Sequence, residues 1–305
     1  MSILNRPNDG LVSVLVALVR TSFAIGKTSK NKLLNIASPT SLNEGKNDQV
    51  MANMTLNRWT ELGLFVVNDK KEIKLSDEIL SQYKSRGVSP ISIAHAVRKL
   101  VLAPENNTNF WSDKENKSAD FTRAAAWMLA QDVHDFMPTS HSAVEPICNE
   151  QVLTPDVILL QNDTRWSGYV SWATFLGFGR LDSGKTSGGF ITDPTPVVRF
   201  HLDDLLPKRG EIAITDFVSG LAAKVPVLDA GEYRREVESK LKPEKWRKPI
   251  EGHLSTSLSR TLLRLRESGY IRLEVKSDAG AQVKIMGRND RVVESITHVR
   301  RGESK

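Results

Sequence analysis

The sequence predicts a mainly helical fold with small β-hairpin wings (α+β), built from tandem winged-helix domains joined by a helical middle region. Three observations predict it. A helix, a glycine stop and two short β-prone runs follow one another near the N-terminus, the same succession returns near the C-terminus, and the Lys/Arg surplus is confined to that second copy.

In the first copy, Asp9 is placed to cap a helix reaching about Thr21, with Leu11, Val14, Leu15 and Leu18 at helical spacing. Ser29 is placed to cap a short second helix holding Leu33, Leu34 and Ile36, which ends before Pro39. After a polar loop to Asn47, a third helix is expected over residues 48–62, stopping at Gly63, a residue suited to the left-handed position after a helix. The wing then reads as a strand at residues 64–67, a turn at 68–71 and a return at 73–75.

In the middle, residues 90–102 and 121–137 read as helices separated by the polar loop 105–117. Residues 166–176 form a further helix ended by Gly177. Residues 178–181, 190–192 and 197–202 are expected to supply an enlarged wing, although Pro194 and Pro196 interrupt its second strand.

In the last copy, helices are expected over residues 214–224 and 230–241, followed by a linker between Pro243 and Pro249. Ser255 caps a helix to Ser268 with Leu258, Leu262 and Leu265 as its apolar stripe, stopping at Gly269. The wing follows as residues 270–275, a tip at 276–280 and a return at 282–286, with residues 292–299 a closing helix or strand. The domains expected are therefore an N-terminal winged helix at 1–85, a helical middle region at 86–206 with a degenerate copy over about 150–206, and a basic C-terminal winged helix at 207–305.

Composition sets the class. A chain of 305 residues with 40% hydrophobic and 26% charged residues supports ordinary cores without staples. The lone Cys148 cannot pair within the chain, which fits a reducing cytoplasm. The longest apolar stretch, residues 11–19, falls short of the roughly 20 a membrane span needs, and the opening residues lack a secretory signal, so a cytoplasmic protein with no membrane partner is expected. Between Arg234 and Arg301 stand 17 Lys/Arg against 9 Asp/Glu, while the remainder has 25 against 27. That localised positive field suits a polyanion such as double-stranded DNA, the alternative being a solvated basic face.

Aligning the copies on Gly63, Gly177 and Gly269 places Leu56 and Trp59, Val170 and Ala173, and Leu262 and Leu265 on the core face. Positions five, nine and ten before the glycine are then expected to face outward: Arg264, Arg260 and Ser259 in the last copy, Arg58, Met54 and Asn53 in the first, and Trp172, Gly168 and Ser167 in the middle. Arg260 suits guanine, Asn53 suits adenine or phosphate, and Arg58, Ser259 and Arg264 suit phosphate. The wing tips add Lys70, Lys71 and Lys276 as phosphate contacts. The middle copy, without positive charge there, is expected to meet protein.

Catalytic motifs were weighed and set aside. Residues 179–186 match the phosphate-loop spacing through Lys185 and Thr186, but Gly188, Gly189, Pro194 and Pro196 leave no place for the helix that must follow. Asp132, His134, Asp135, His141, Glu145 and Cys148 lack the paired cysteines of a structural zinc site. Asp156 with Glu274 and Lys276 resembles scattered nuclease pieces in different expected domains. No catalytic residue, metal or cofactor is expected, and the protein is read as a non-enzyme.

The segments from Asn57 through Arg58, Trp59 and Gly63 to Phe65, and from Ser259 through Arg260, Arg264 and Gly269 to Ile271, resemble the recognition helix and wing of bacterial winged-helix proteins. The opening Met1, Ser2, Ile3, Leu4, Asn5, Arg6 and Pro7 with Asp9, Gly10 and Leu11 resembles the accessory DpdG proteins of clusters that modify DNA with deazaguanine and restrict unmodified DNA. That resemblance implies a phage-defence role beside helicase or nuclease subunits and assigns no catalytic residue. The alternatives are a protein-interaction scaffold and a transcriptional regulator.

Overall fold

The structure, a computed structural model, describes residues 2–4, 11–39, 48–112, 117–135, 137–182, 189–277 and 281–302. Asp9, the opening residues 5–10, the loop 183–188 with Lys185, and part of the expected wing tip at 278–280 lie outside them. The chain begins with α1 (Val12–Ile25), β1 (Thr28–Ser29), α2 (Lys30–Ala37), α3 (Asp48–Glu61), β2 (Phe65–Val67), β3 (Glu72–Leu75), α4 (Asp77–Arg86) and α5 (Pro90–Val101). It continues with α6 (Ala119–Ala130), β4 (Met137–Pro138), α7 (His141–Gln151), α8 (Asp163–Leu176), β5 (Gly179–Asp182) and β6 (Gly189–Thr192). It closes with α9 (Thr195–Leu205), β7 (Glu211–Ala213), α10 (Ile214–Lys224), α11 (Glu232–Glu238), α12 (Thr256–Glu267), β8 (Ile271–Glu274), β9 (Val283–Met286), β10 (Val292–Ile296) and β11 (His298–Arg301). The fold is mainly α with small antiparallel sheets, as the sequence predicts.

Two compact units form, Met1–Phe121 with Asn162–Leu176, and Thr122–Gln161 with Gly177–Lys305. They interleave along the chain and so do not follow the sequential boundaries at 85 and 206.

In the first unit, α1 buries Leu15, Leu18 and Val19, and α3 buries Ala52, Leu56 and Trp59. The Trp59 ring sits 5.3 Å from that of Trp172 on α8, and each buried indole removes a large apolar area from water. Ser89 and Ser92 form a reciprocal cap with Pro90 at the first position of α5. From α5, the buried Arg98 donates to the Leu176 carbonyl at 2.7 Å, satisfying an orphan acceptor at the end of α8. Burial pulls its guanidinium down to about 10, still charged at neutral pH.

One connectivity recurs three times along the chain: helix, short strand, helix, helix, strand, strand. The three sheets it makes are β1-β3-β2, β4-β6-β5 and β7-β11-β8, each pairing its first and second strands to its third. Gly63, Gly177 and Gly269 all have positive φ, of 89°, 82° and 76°. At the first and last, the glycine and the next residue donate back onto the helix, Gly63 to Thr60 and Leu64 to Trp59, Gly269 to Arg266 and Tyr270 to Leu265. This double closure needs a residue without Cβ strain at the left-handed position.

Several expectations are corrected. Residues 197–202 are not a wing strand but part of α9. Pro196 fits the first turn, where no N–H is needed, and Val197, Val198, His201 and Leu202 bury one helical face. Residues 282–286 do not return against β8. They form β9, which pairs with β10, while β8 pairs with β11 (Ile271↔Arg301 to Glu274↔His298). The helix expected over 121–137 stops at Ala130, and Met137 enters β4. The polar stretch around His141 is α7, which buries His141, Val144 and Cys148 at helical spacing despite Pro146.

Burial on α7, with Glu145 nearby, pushes the Cys148 thiol up to about 12. At pH 8 only about 10⁻⁴ of it is thiolate. Alkylation of the native protein at pH 8 is therefore expected to proceed no faster than global unfolding; rapid stoichiometric labelling by a thiol reagent in the absence of denaturant contradicts this burial.

Candidate nucleic-acid interface

α12 starts from a built N-terminus. Ser255 accepts from the Leu258 amide at 3.2 Å, while its own N–H and hydroxyl donate to the Asp229 carboxylate at 2.7 and 2.6 Å. The Ser257 hydroxyl donates to the Leu129 carbonyl at 2.8 Å. Asp229 is in turn held by Arg234 of α11, 1% exposed, whose Nε lies 2.5 Å from Glu238 and whose terminal nitrogen lies 3.8 Å from Asp229.

The helix so fixed exposes little of itself. Arg264 and Glu267 are its exposed positions, and Arg260, Leu263 and Arg266 are half-buried. Arg260 donates to the Val133 carbonyl at 3.2 Å. Arg264 pairs with Asp193 at 2.5 Å, and Asp193 also caps α9 through the Thr195 amide and hydroxyl. Arg266 pairs with Glu294. Ser259 is fully buried and accepts from the Met286 amide at 2.9 Å, so its expected outward placement is corrected: β9 covers that flank.

On α3, Asn53 is half-buried and Asn57, which accepts from Lys30 at 2.6 Å, is exposed. Arg58 is 5% exposed and Trp172, at the corresponding position of α8, is 1% exposed. The expectation that both face outward is corrected, since the Trp59–Trp172 contact draws this flank inward. All six residues aligned on the core face are buried.

Lys70 and Lys71 are exposed at the turn between β2 and β3. Asn68 organises that turn, accepting from the Glu72 amide at 2.9 Å, and Lys71 has φ 59°. Lys276 is exposed and pairs with Glu211, whose carboxyl it holds below the usual range. Arg300 pairs with Glu274 in the same sheet. Three of the expected cations, Lys276, Arg264 and Arg260, thus already have protein partners.

The segment matching the phosphate loop begins in β5 and, beyond its undescribed centre, enters β6, an antiparallel hairpin with Gly179↔Thr192 and Asp182↔Gly189 in register. A strand stands where a nucleotide-binding loop needs a helix. Among the described residues no group of three His, Cys, Asp or Glu is arranged to hold a metal, and no helix is long and apolar enough to cross a membrane.

A family model described as DpdG-like matches residues 1–279. No curated protein and no solved structure matches the chain.

Proposed function

We propose, from the premise that the chain belongs to the DpdG-like family, that it is a non-catalytic accessory subunit of a DNA-modification and restriction assembly, binding double-stranded DNA through winged-helix units. The observation that carries this reading is the connectivity repeated three times, with each sheet in the order first, third, second strand and a positive-φ glycine after the third helix. Winged-helix proteins present that third helix and the following hairpin to DNA. We place these units in the sequential domains 1–85, 86–206 and 207–305, in the cytoplasm, beside helicase or nuclease subunits.

Of the aligned side chains, Asn53, Lys70, Lys71, Arg260, Arg264 and Lys276 retain solvent access and are the proposed contacts. Arg58 and Ser259 are left out because a buried group cannot reach phosphate without unfolding its surroundings. A second reading, a scaffold whose units meet protein, is favoured by the partners that already occupy Arg260 and Arg264.

Binding of a labelled duplex across a salt series separates the two. Expected is affinity that falls steeply with salt, with Arg260→Ala/Arg264→Ala losing about 1–3 kcal/mol per contact and a shallower slope. No binding by the parent at low salt ends the DNA reading and leaves the scaffold.

A further inference from the structure

In the N-terminal copy a turn of four residues, 68–71, joins the last two strands of the sheet. In the C-terminal copy the β9–β10 hairpin is inserted between the corresponding strands, β8 and β11, which pair with each other without it. The insertion is firmly held within its unit. Met286 N–H donates to Ser259, Lys284 N–H to the Gly252 carbonyl at 2.8 Å, and Leu254 N–H to the Lys284 carbonyl at 3.0 Å. The strap 243–254 beside it is anchored by Trp246, 4% exposed, whose indole N–H donates to the Ala130 carbonyl at 3.0 Å. Hairpin tip and strap line one cavity of about 430 Å³, with Arg247, Lys248, Asn289 and Asp290 in its wall.

The charge on this surface is one-sided. Arg247, Lys248, Lys284, Arg288 and Arg291 are exposed. The hairpin's own acids are occupied, Asp290 by Arg247 at 2.7 Å and Glu294 by Arg266. Among the described residues, no carboxylate is in ion-pair range of Lys248, Lys284, Arg288 or Arg291. This differs from α12, whose arginines already hold an acid or a carbonyl. Uncompensated cations on a fixed ribbon lose little conformational freedom on binding a row of phosphates and release the counterions those phosphates hold.

We propose that the β9–β10 hairpin and the adjoining strap form a phosphate-backbone contact for double-stranded DNA, separate from α12. The inference rests on the DNA-binding reading above, and its test tells the two apart. The full chain and the variant Lys284→Ala/Arg288→Ala/Arg291→Ala are titrated with a labelled duplex across a salt series, with Arg260→Ala/Arg264→Ala alongside. Expected for the hairpin variant is at least roughly tenfold weaker binding at low salt and a log–log salt slope shallower by about 2–3, near 0.9 per phosphate released. The charge-preserving Arg288→Lys/Arg291→Lys is expected to bind like the parent, because a backbone contact needs charge rather than a fork. An unchanged affinity and slope in the hairpin variant, with binding lost in the α12 variant, overturns the hairpin contact and leaves the DNA reading intact. No binding by the parent overturns both. Binding of polyglutamate as tightly as duplex overturns the assignment to DNA in favour of an acidic protein.

Discussion

Arg165→Ala is expected to destabilise the protein by about 3–5 kcal/mol, read as a lower urea midpoint for the loss of far-ultraviolet circular dichroism. Arg165 on α8 lies 3.1 Å from Asp120 at the start of α6, with the Asp120 side chain 2% exposed and that of Arg165 11%. The Ser2 hydroxyl also donates to this carboxylate, and the Phe121 amide donates to its other oxygen at 2.8 Å. Truncating the arginine leaves a buried anion with neutral donors alone, and that uncompensated charge is the larger part of the expected loss. Asp120→Asn in the Arg165→Ala background is therefore expected to recover a large part of it. A loss below about 1 kcal/mol for Arg165→Ala, within the range of an exposed pair, contradicts the burial on which the argument rests.

The helix stops were legible in the sequence because a left-handed residue has a local cause: Gly63, Gly177 and Gly269 each follow an apolar stripe, and the stripe itself is buried in all three copies. The first wing was legible too, since four residues suffice to turn a hairpin and β2 and β3 flank them directly. The outer flanks were not. A helical wheel gives the phase of one apolar face, and nothing in that phase announces that β9 covers Ser259 or that Trp172 meets Trp59 across 113 residues of chain. The opening strands β1, β4 and β7 hold two or three residues each, too few for an alternating pattern. The partner of β8 was misassigned for a similar reason: residues 283–286 and 298–301 are equally β-prone, and only their packing decides which one closes the sheet. The basic surplus beyond Arg234 was read correctly as a local field, but much of it resolves into ion pairs on and around α12, and the excess gathers on the strap and hairpin.

Arg234 tests whether the support of α12 matters as much as its charges. Its guanidinium is 1% exposed and faces two carboxylates, Glu238 at 2.5 Å and Asp229 at 3.8 Å, which are themselves largely buried at 18% and 12% side-chain exposure. Asp229 accepts both the amide and the hydroxyl protons of Ser255, the residue that caps α12. Arg234→Ala thus leaves two partly buried anions facing each other and removes the group that sets the cap's acceptor. We expect a loss of about 3–5 kcal/mol, against about 1 kcal/mol for Ser255→Ala, which removes the cap alone. Glu238→Gln added to Arg234→Ala lowers the anionic charge and is expected to restore part of the stability, which a change in overall side-chain volume does not explain. Because α12 carries Arg260 and Arg264, conditions in which Arg234→Ala is still folded provide a second readout: duplex affinity falls if the cap orients those arginines. The cavity of about 340 Å³ lined by Arg234, Asp229 and Glu238 sets the opposing outcome. If water entering it hydrates the two carboxylates, Arg234→Ala costs no more than Ser255→Ala, and the ion pair is then not what holds the helix in place.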